Sequence, residues 1–249
     1  MISKSKIKLI KSLSQKKFRD ETGLFVAEGS KLVLDLTAAF HTTILVATKE
    51  WLRLNSYKAD EIIEIEDEEF TKISNQKSPQ GVLAVFKKPE YKCKVQELSQ
   101  RLSLALDDVQ DPGNLGTIIR VADWFGITDV FCSEHSADAF NPKTVQASMG
   151  ALARVQVHIV NLIDFFQNCS PELPVYGTFM NGVNIYNKTL SQNGVVVMGN
   201  EGNGISPEVE KLISERLLIP NFPQGRVTSE SLNVGVATAL VCAEFRRRL

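Results

Sequence analysis

The sequence predicts an α/β protein whose larger part is built on a parallel β-sheet. From residue 102 onward, short and nearly continuous apolar runs alternate with segments of helical pattern. Such runs are typical of strands that are buried on both faces of a parallel sheet covered by helices. Polar or glycine-rich residues follow three of these runs, and loops at strand ends are where such folds bind ligands. The fold class therefore directs the search for function to those three loops.

Composition is that of a globular protein with an ample core. The chain has 249 residues, 43% of them hydrophobic, and a formal net charge of -1. No apolar stretch approaches the ~20 residues of a membrane span, and the basic N-terminus lacks the apolar segment of a signal peptide. The four cysteines form no CxxC pair and the three histidines are dispersed, which indicates neither a metal site nor a disulfide framework. We expect a cytoplasmic protein with no membrane attachment and no bound metal.

The first third of the chain has the pattern of a small α/β unit. Helices are predicted at Ser30–Phe40 and Asp67–Ser74. Strands are predicted at Leu24–Ala27, Thr43–Ala47, Glu61–Ile65 and Gly81–Phe86. The polar stretch that follows contains Pro89 and is typical of a linker. We place a first domain at residues 1–88, a linker at 89–96 and a second domain at 97–249.

Charge is distributed unevenly along this first domain. Residues 60–69 are strongly acidic, whereas residues 1–19 contain basic residues and no acidic one. Clustered basic side chains displace counterions from RNA, and a solvated helix face has the same pattern. Both interpretations stay open from charge alone. The candidate RNA contacts are Lys4, Lys6, Lys8, Lys16, Lys17 and Arg19.

In the second domain the pattern is strand, loop and helix, repeated. Strands are predicted at Leu102–Leu106, Asp129–Cys132, Val155–Ile159, Val175–Phe179, Val195–Met198 and Leu217–Ile219. The first motif block, residues 108–116, leads into a predicted helix at Leu115–Phe125. Asn114 lies near the cap position of that helix, where its amide suits an open backbone N–H. Arg120 has apolar neighbours and needs a partner, which is either a substrate or one of Asp107, Asp108 and Asp123.

The second motif block, residues 195–204, is glycine-rich and ends a predicted strand. Its spacing is G-x-x-G-x-G instead of the G-x-G-x-x-G of dinucleotide sites. The carboxylate of Glu201 suits a cationic ligand better than a pyrophosphate. A plain strand–turn–helix connection is the alternative.

The third motif block begins at Ile219-Pro220 and resumes at Ser231-Leu232-Asn233-Val234, where a helix to about Phe245 is predicted. Residues 229–231 supply candidate caps for this helix. Taken alone, this block is typical of a capped core helix.

In order and spacing, the three blocks resemble the motifs of the SpoU (TrmH-like) family of RNA ribose 2′-O-methyltransferases, in the SPOUT superfamily. The stretches 25–29 and 78–85 are similar to an L30e-like substrate-binding domain that many members carry. The resemblance implies a catalytic domain with a C-terminal trefoil knot, a homodimer formed through that domain, and S-adenosyl-L-methionine as cofactor. It also implies methylation of an RNA 2′-hydroxyl without metal, and it favours rRNA of the 23S type over tRNA.

The same resemblance assigns roles to individual residues. It implies that Gly199, Ile219 and Leu232 bind the cofactor, with Thr178 beside them. The implied catalytic group consists of Arg120, Asn114, Glu201, Ser231 and Asn233. A free guanidinium stays protonated at physiological pH. We therefore expect Arg120 to bind an RNA phosphate and to align the ribose 2′-hydroxyl.

The sequence departs from the family pattern at two places, and two other classes of protein remain alternatives. The loop Asn221–Glu230 is longer than in many relatives, and Gly235 stands where serine is frequent. An RNA-binding protein that kept the fold but lost turnover is the main alternative. A nicotinamide-dependent oxidoreductase is the second, and it predicts NAD binding instead of a response to S-adenosylhomocysteine.

Overall fold

The structure, a computed structural model, describes residues 2–92, 95–223, 226–227, 229 and 231–247. The chain divides into two compact units. The first unit comprises Met1–Glu90 together with Asp138–Arg154, and the second comprises Tyr91–Ala137 and Val155–Leu249. A segment within the range 97–249 predicted for the second domain thus packs as part of the first unit.

The described strands form one sheet in each unit. In the first unit they are β1 (Leu24–Glu28), β2 (Thr42–Thr48), β3 (Glu61–Ile65) and β4 (Val82–Lys87). In the second unit they are β5 (Leu102–Leu106), β6 (Asp129–Cys132), β7 (Gln156–Ile159), β8 (Val175–Asn184), β9 (Gly194–Met198) and β10 (Glu215–Leu218). The first sheet has the order β1-β4-β2-β3, and the second has the order β10-β8-β9-β5-β6-β7. All predicted strands are therefore present; Glu61–Ile65, Leu102–Leu106 and Asp129–Cys132 have the predicted bounds, and the others have shifted ends.

The second sheet is parallel at each of its described pairings, as predicted. Every residue of β5 and β9 is buried, because these central strands are covered on both faces. The first sheet is mixed: β2 and β3 are parallel, whereas β4 is antiparallel to β1 and β2. Parallel strands place their carboxyl ends at one edge of the sheet, and the three motif blocks follow β5, β9 and β10 there.

The described helices connect these strands. They are α1 (Lys4–Ser12), α2 (Lys16–Thr22), α3 (Ser30–Thr37), α4 (Lys49–Leu54), α5 (Asp67–Ile73), α6 (Pro112–Trp124), α7 (Pro142–Ser148), α8 (Leu162–Gln167), α9 (Pro207–Glu210) and α10 (Val234–Arg247). Helix α10 begins three residues after Ser231, later than the sequence predicts.

An aromatic cluster explains why the segment Asp138–Arg154 belongs to the first unit. Phe25 lies with its ring centroid 4.8 Å from that of Phe140 and 5.3 Å from that of Phe86. Beside them, the buried Arg19 donates to Asp138 Oδ2 from Nε at 2.9 Å and from Nη2 at 2.7 Å. Apolar burial and a fixed ion pair therefore attach this segment to the first sheet.

Strand β8 leaves the sheet in its middle. Arg216 of β10 pairs with Gly177, but the next residue of β10, Leu217, pairs with Val183. The intervening residues 178–182 form an excursion from the strand. A Cβ at Gly182 would lie 2.5 Å from the carbonyl carbon of Leu217, so glycine is required at this close approach. The sequence pattern predicted only the part of this strand up to Phe179.

Neither a metal site nor a membrane span is found within the described residues. No group of three or more His, Cys, Asp or Glu side chains among them is placed to hold a metal ion. No helix among them has the length and apolar character needed to cross a bilayer. Cys132 and Cys242 are buried free thiols, and burial raises the pKa of Cys132 to about 12.

Candidate active site

The first two motif blocks are joined where β5 and β9 end. Asp107 donates from its backbone N–H to the carbonyl of Met198 at 2.9 Å, and its Oδ2 accepts the N–H of Ser206 at 2.7 Å. The amide of Asn200 donates to the carbonyl of Asp108 at 2.8 Å. Asp107 is buried, so its carboxylate fixes the loop after β9 instead of meeting solvent.

The glycine-rich loop after β9 is organised around Asn200. Its backbone exchanges two hydrogen bonds with Gly204, at 2.9 and 3.0 Å. Its side-chain Oδ1 accepts the N–H groups of Gly202 at 2.9 Å and Asn203 at 3.0 Å. A Cβ at Gly199 would lie 2.2 Å from the carbonyl carbon of Gly204, so this position requires glycine. The loop is therefore a tight, internally satisfied turn.

The caps of the two neighbouring helices differ from the predicted ones. Asp111 caps α6 by accepting the N–H of Asn114 at 2.9 Å, and Pro112 occupies the first helical turn. Asn233 caps α10, since its Oδ1 accepts the N–H groups of Gly235 at 3.0 Å and Val236 at 3.3 Å. The alternative in which Asn114 caps α6 is not found, and Asn233 caps α10 in place of the candidates at 229–231, of which Glu230 lies outside the described residues. The side-chain amide of Asn114 is thereby released for another role.

A chain of side-chain hydrogen bonds joins the three motif blocks. Asn233 donates from Nδ2 to Asn114 Oδ1 at 2.9 Å, and Asn114 donates from Nδ2 to Glu201 Oε1 at 2.8 Å. The helix cap determines the direction, because Asn233 Oδ1 is already engaged by backbone N–H groups and its Nδ2 must face Asn114. The chain therefore runs from the N-terminus of α10 to the carboxylate of Glu201.

A cavity of about 380 Å³ lies beside this chain. All four predicted cofactor residues line it: Thr178, Gly199, Ile219 and Leu232. Glu201 and Ser231 line it as well, whereas Asn114, Asn233 and Arg120 are not among its lining residues. The described charged residues in the lining are Glu201 and Glu210, so the cavity wall carries carboxylates and no basic group. The predicted loop Asn221–Glu230 is described only in part, without residues 224, 225, 228 and 230.

Arg120 lies on the solvent side of α6. Its flanking residues Ile118 and Ile119 are buried, but Arg120 itself is exposed. Among the described residues, none forms a hydrogen bond or ion pair with it, so the alternative of an ion pair with Asp107, Asp108 or Asp123 is not found. An exposed guanidinium without a protein partner is available to an external anion.

The basic N-terminal residues are in three different situations. Arg19 is buried against Asp138 and cannot reach a phosphate, which corrects the prediction for this residue. Lys6 pairs with Glu61, Lys16 with Asp20, and Lys17 with Glu21. The remaining candidates, Lys4 and Lys8, are exposed one turn apart on α1. The solvated surface suited to RNA is thus smaller than the sequence predicts.

Sequence reasoning missed three residues that build the site: Asp107, Asp111 and Asn200. The signal for Asp111 was present, because Asp followed by Pro marks a helix start. Asp107 and Asn200 act through partners about 100 residues away, Ser206 and Asp108. No local pattern contains that information.

The fold and the site define a class: an α/β protein with a ligand cavity at the carboxyl ends of parallel strands. Residues 101–243 match the model of the SpoU rRNA Methylase family, and residues 4–84 match that of an MRM3-like substrate binding domain. The first match covers more than half of the chain. The chain belongs to the SpoU rRNA methylase family, and the resemblance found in the sequence is confirmed.

Individual relatives are similar over nearly their whole length. The 23S rRNA (guanosine(2553)-2′-O)-methyltransferase RlmP of Bacillus subtilis is 32% identical over 245 residues, 97% of this chain and 96% of that protein. A structure described as an RNA methyltransferase of the TrmH family from Porphyromonas gingivalis has 43% identity and a TM-score of 0.90, and the match covers 100% of both chains. An AdoMet-bound rRNA methyltransferase from Sinorhizobium meliloti has 27% identity and a TM-score of 0.85, over 100% of this chain and 97% of that one.

Proposed function

We infer that this protein transfers a methyl group from S-adenosyl-L-methionine to a ribose 2′-hydroxyl of ribosomal RNA. The observation that carries the inference is the hydrogen-bond chain from Asn233 through Asn114 to Glu201, which ends at the cavity. It joins three motif blocks of the SpoU family into one site. A homologue that matches over nearly its full length is a 23S rRNA 2′-O-methyltransferase, which favours rRNA over tRNA.

The cavity suits the cofactor in size and in charge. Pockets for ligands of this size are ~300–1,000 Å³, and apolar side chains such as Met198, Ile205 and Leu232 form much of the wall. The carboxylate of Glu201 favours a positively charged sulfonium. When bound, the cofactor would supply an electrophilic methyl group: the ribose oxygen would gain an O–C bond as the S–C bond breaks, and the hydroxyl proton would pass to solvent. We propose Thr178, Gly199, Ile219 and Leu232 as the residues that hold it.

The catalytic contribution of the chain is orientation and electrostatics. Asn114 is held at both ends of its amide, so its position relative to Glu201 is fixed before the substrate arrives. Ser231 lines the cavity next to this chain and is proposed to complete the site. Arg120 is proposed to bind a phosphate of the RNA bidentately and to align the 2′-hydroxyl, since a planar guanidinium matches two phosphate oxygens.

The two-domain assignment is also a proposal. Residues 1–88 are proposed as an L30e-like domain that binds RNA, 89–96 as the linker, and 97–249 as the catalytic domain with a C-terminal trefoil knot. The two family-model matches fall within the first and third ranges. Lys4 and Lys8 are the exposed basic candidates for phosphate contacts. Lys6, Lys16 and Lys17 are further candidates, held in ion pairs that are weak at the surface.

A homodimer through the catalytic domain is proposed as well. Helices α6 and α10 pack against each other, and each exposes large apolar side chains. Trp124 of α6 is 84% exposed, and Val236 of α10 is 51% exposed. Exposed apolar residues on adjoining helices are typical of an interface, and light scattering of the purified protein measures the mass directly. Since ribosomal RNA is the substrate, we expect the protein in the cytoplasm.

The first experiment is titration of the purified protein with S-adenosylhomocysteine by calorimetry. We expect micromolar binding by the wild type and loss of binding in Leu232→Pro, because Leu232 lines the cavity. Val227→Pro is the matched control, since Val227 is exposed in the same loop and does not line the cavity. Absence of binding to the wild type would contradict the proposed cofactor and favour an RNA-binding protein without turnover.

The product is identified by a second experiment. Ribosomal RNA lacking modification is incubated with cofactor carrying a labelled methyl group and then hydrolysed with alkali. A 2′-O-methyl group blocks the 2′-oxygen attack that cleaves RNA, so the label should remain in an alkali-resistant dinucleotide. Label recovered in single nucleotides would contradict ribose methylation and indicate a methylated base.

A further inference from the structure

The excursion of β8 at residues 178–182 has little support from the sheet. Within the described pairings, those between β8 and β9 end at Gly177, and those between β8 and β10 resume at Val183. Nevertheless, this excursion supplies Thr178, Phe179 and Met180 to the cavity wall. Its position therefore depends on side-chain contacts.

Arg216 of β10 provides those contacts from the point where the register breaks. Its guanidinium carbon lies 3.6 Å from the ring centroid of Phe179. Its Nη2 donates to Asn181 Oδ1 at 2.6 Å. Because Phe179 also packs against the buried core of the second unit, its ring contacts both that core and the guanidinium of Arg216.

The third contact of Arg216 reaches another part of the cavity wall. Its Nη1 forms an ion pair with Glu210 Oε1, and Glu210 lines the cavity. A partly exposed ion pair of this kind contributes little to the stability of a fold. The ion pair instead fixes a position, because the same guanidinium contacts both the excursion of β8 and the end of α9.

We propose that Arg216 is a positioning residue for S-adenosyl-L-methionine, which holds the excursion of β8 in place as a wall of the cavity by stacking on Phe179 and binding Asn181 and Glu210. The inference rests on the proposed function, in that this cavity is the cofactor site. Arg216 does not itself line the cavity, so it acts on the cofactor through the residues that do. A wall ordered in advance raises affinity because binding no longer has to order it.

The test compares Arg216→Met with Lys188→Met. Met keeps an unbranched apolar side chain over Phe179 but removes the planar fork and the charge. Lys188 forms an ion pair with Glu215, which lies next to Arg216 on β10, and neither Lys188 nor Glu215 lines the cavity. Lys188→Met therefore controls for the loss of an ion pair at β10. We expect Arg216→Met to bind S-adenosylhomocysteine about tenfold more weakly, equivalent to ~1.4 kcal/mol, with Lys188→Met within about twofold of wild type.

Hydrogen exchange separates positioning from general destabilisation. In Arg216→Met, the amides of residues 178–182 should exchange faster, while those of the buried strands β5 and β9 keep their protection. Faster exchange throughout the second unit would overturn the proposal, because the lost affinity would then reflect a weakened fold.

A double variant distinguishes loss of the wall's position from the effect of leaving the Glu210 carboxylate unpaired. Arg216→Met leaves Glu210 without its partner, so Arg216→Met/Glu210→Gln removes that uncompensated carboxylate. Affinity that stays low in the double variant supports positioning, and affinity restored to the wild-type value overturns it. If the wild type fails to bind S-adenosylhomocysteine, the proposed function fails; if wild type and Arg216→Met bind equally well, only this inference fails.

Discussion

Two polar clusters lie at opposite edges of the six-stranded sheet, and they differ in exposure and in how their groups are satisfied. At the carboxyl edge, the chain of Asn233, Asn114 and Glu201 is open to solvent and borders the cavity. At the amino edge, Asp129 begins β6 and is buried together with His158. One sheet therefore carries an exposed polar cluster and a buried one.

The polar groups of the buried cluster bond mainly to one another. Asp129 accepts from His158 Nε2 at 3.0 Å and from Thr128 Oγ1 at 2.7 Å, and Arg101 lies 3.4 Å away. The ring of His158 stacks on Phe131 with centroids 4.9 Å apart. Both carboxylate oxygens of Asp129 are therefore engaged inside the cluster, whereas Arg101 Nε has no hydrogen-bond partner among the described residues.

The comparison teaches that polar residues on one sheet serve different ends according to solvent access. Groups whose partners are all internal stabilise the fold, and their loss leaves buried atoms unsatisfied. Groups that border a cavity keep capacity for a substrate. Variants at the carboxyl edge should therefore change activity at constant stability, and variants at the amino edge should do the reverse.

The largest effect is expected from Arg120, at the exposed edge. Arg120→Ala should lower methyl transfer by about 100- to 1,000-fold, the usual loss when one positioned charge is removed. Affinity for S-adenosylhomocysteine should stay unchanged, because Arg120 does not line the cavity. Arg247→Ala, at an exposed arginine of α10, is the control. Equal losses in both variants would refute a specific role.

The pH–rate profile of Arg120→Lys sharpens this prediction. A phosphate clamp depends on the planar guanidinium fork, so turnover of the variant should be poor at every pH. Near-normal turnover at high pH would identify residue 120 as the base that removes the 2′-hydroxyl proton.

Glu201→Gln comes next. It replaces a charge-assisted hydrogen bond from Asn114 by a neutral one, which is weaker, and it removes the negative charge that faces the cavity. Turnover should fall about 10- to 100-fold, with the free energy of unfolding within ~0.5 kcal/mol of wild type because the residue is exposed. Urea titration and the methyl-transfer assay measure the two quantities. A large fall in the free energy of unfolding would contradict the proposed difference between the exposed cluster and the buried one.

Asp129→Asn is the reciprocal test at the amino edge. The amide cannot accept from all the donors around it, and a buried donor left unsatisfied costs ~1–3 kcal/mol. The free energy of unfolding should fall by that amount, while affinity for S-adenosylhomocysteine stays at the wild-type value. Altered affinity at equal stability would show that this cluster communicates with the cavity.

The smallest effect is the pH dependence of the same cluster. Burial tends to raise the pKa of Asp129, but hydrogen bonds from His158 and Thr128 and the charge of Arg101 outweigh it and lower the pKa. A carboxyl whose pKa is lower in the folded state stabilises the fold above its unfolded pKa of ~3.9. That contribution is lost as pH falls through the folded pKa. The stability difference between wild type and Asp129→Asn should therefore shrink below about pH 4, and a constant difference down to pH 2 would contradict this.

Local patterns were sufficient for much of the fold. Runs of three to six mainly apolar residues located the strands of both sheets, because the central strands are buried on both faces and need continuous apolar sequence. The excursion of β8 escaped this reasoning, since Arg216, which contacts Phe179 and Asn181, lies about 35 residues later in the chain. The attachment of residues 138–154 to the first unit escaped it too, because Phe140 and Phe25 meet only in the folded chain.

By itself, the sequence determined the family, the parallel sheet and the residue types at the ends of β5, β9 and β10, because periodicity and motif order are local or linear properties. Only the tertiary structure decided what those residues do. It made Asp111 and Asn233 the caps, released the Asn114 amide to join Asn233 and Glu201, exposed Arg120 and buried Arg19. The physical reason is that a hydrogen bond or ion pair between distant residues depends on distance and direction, and neither exists until the strands are side by side.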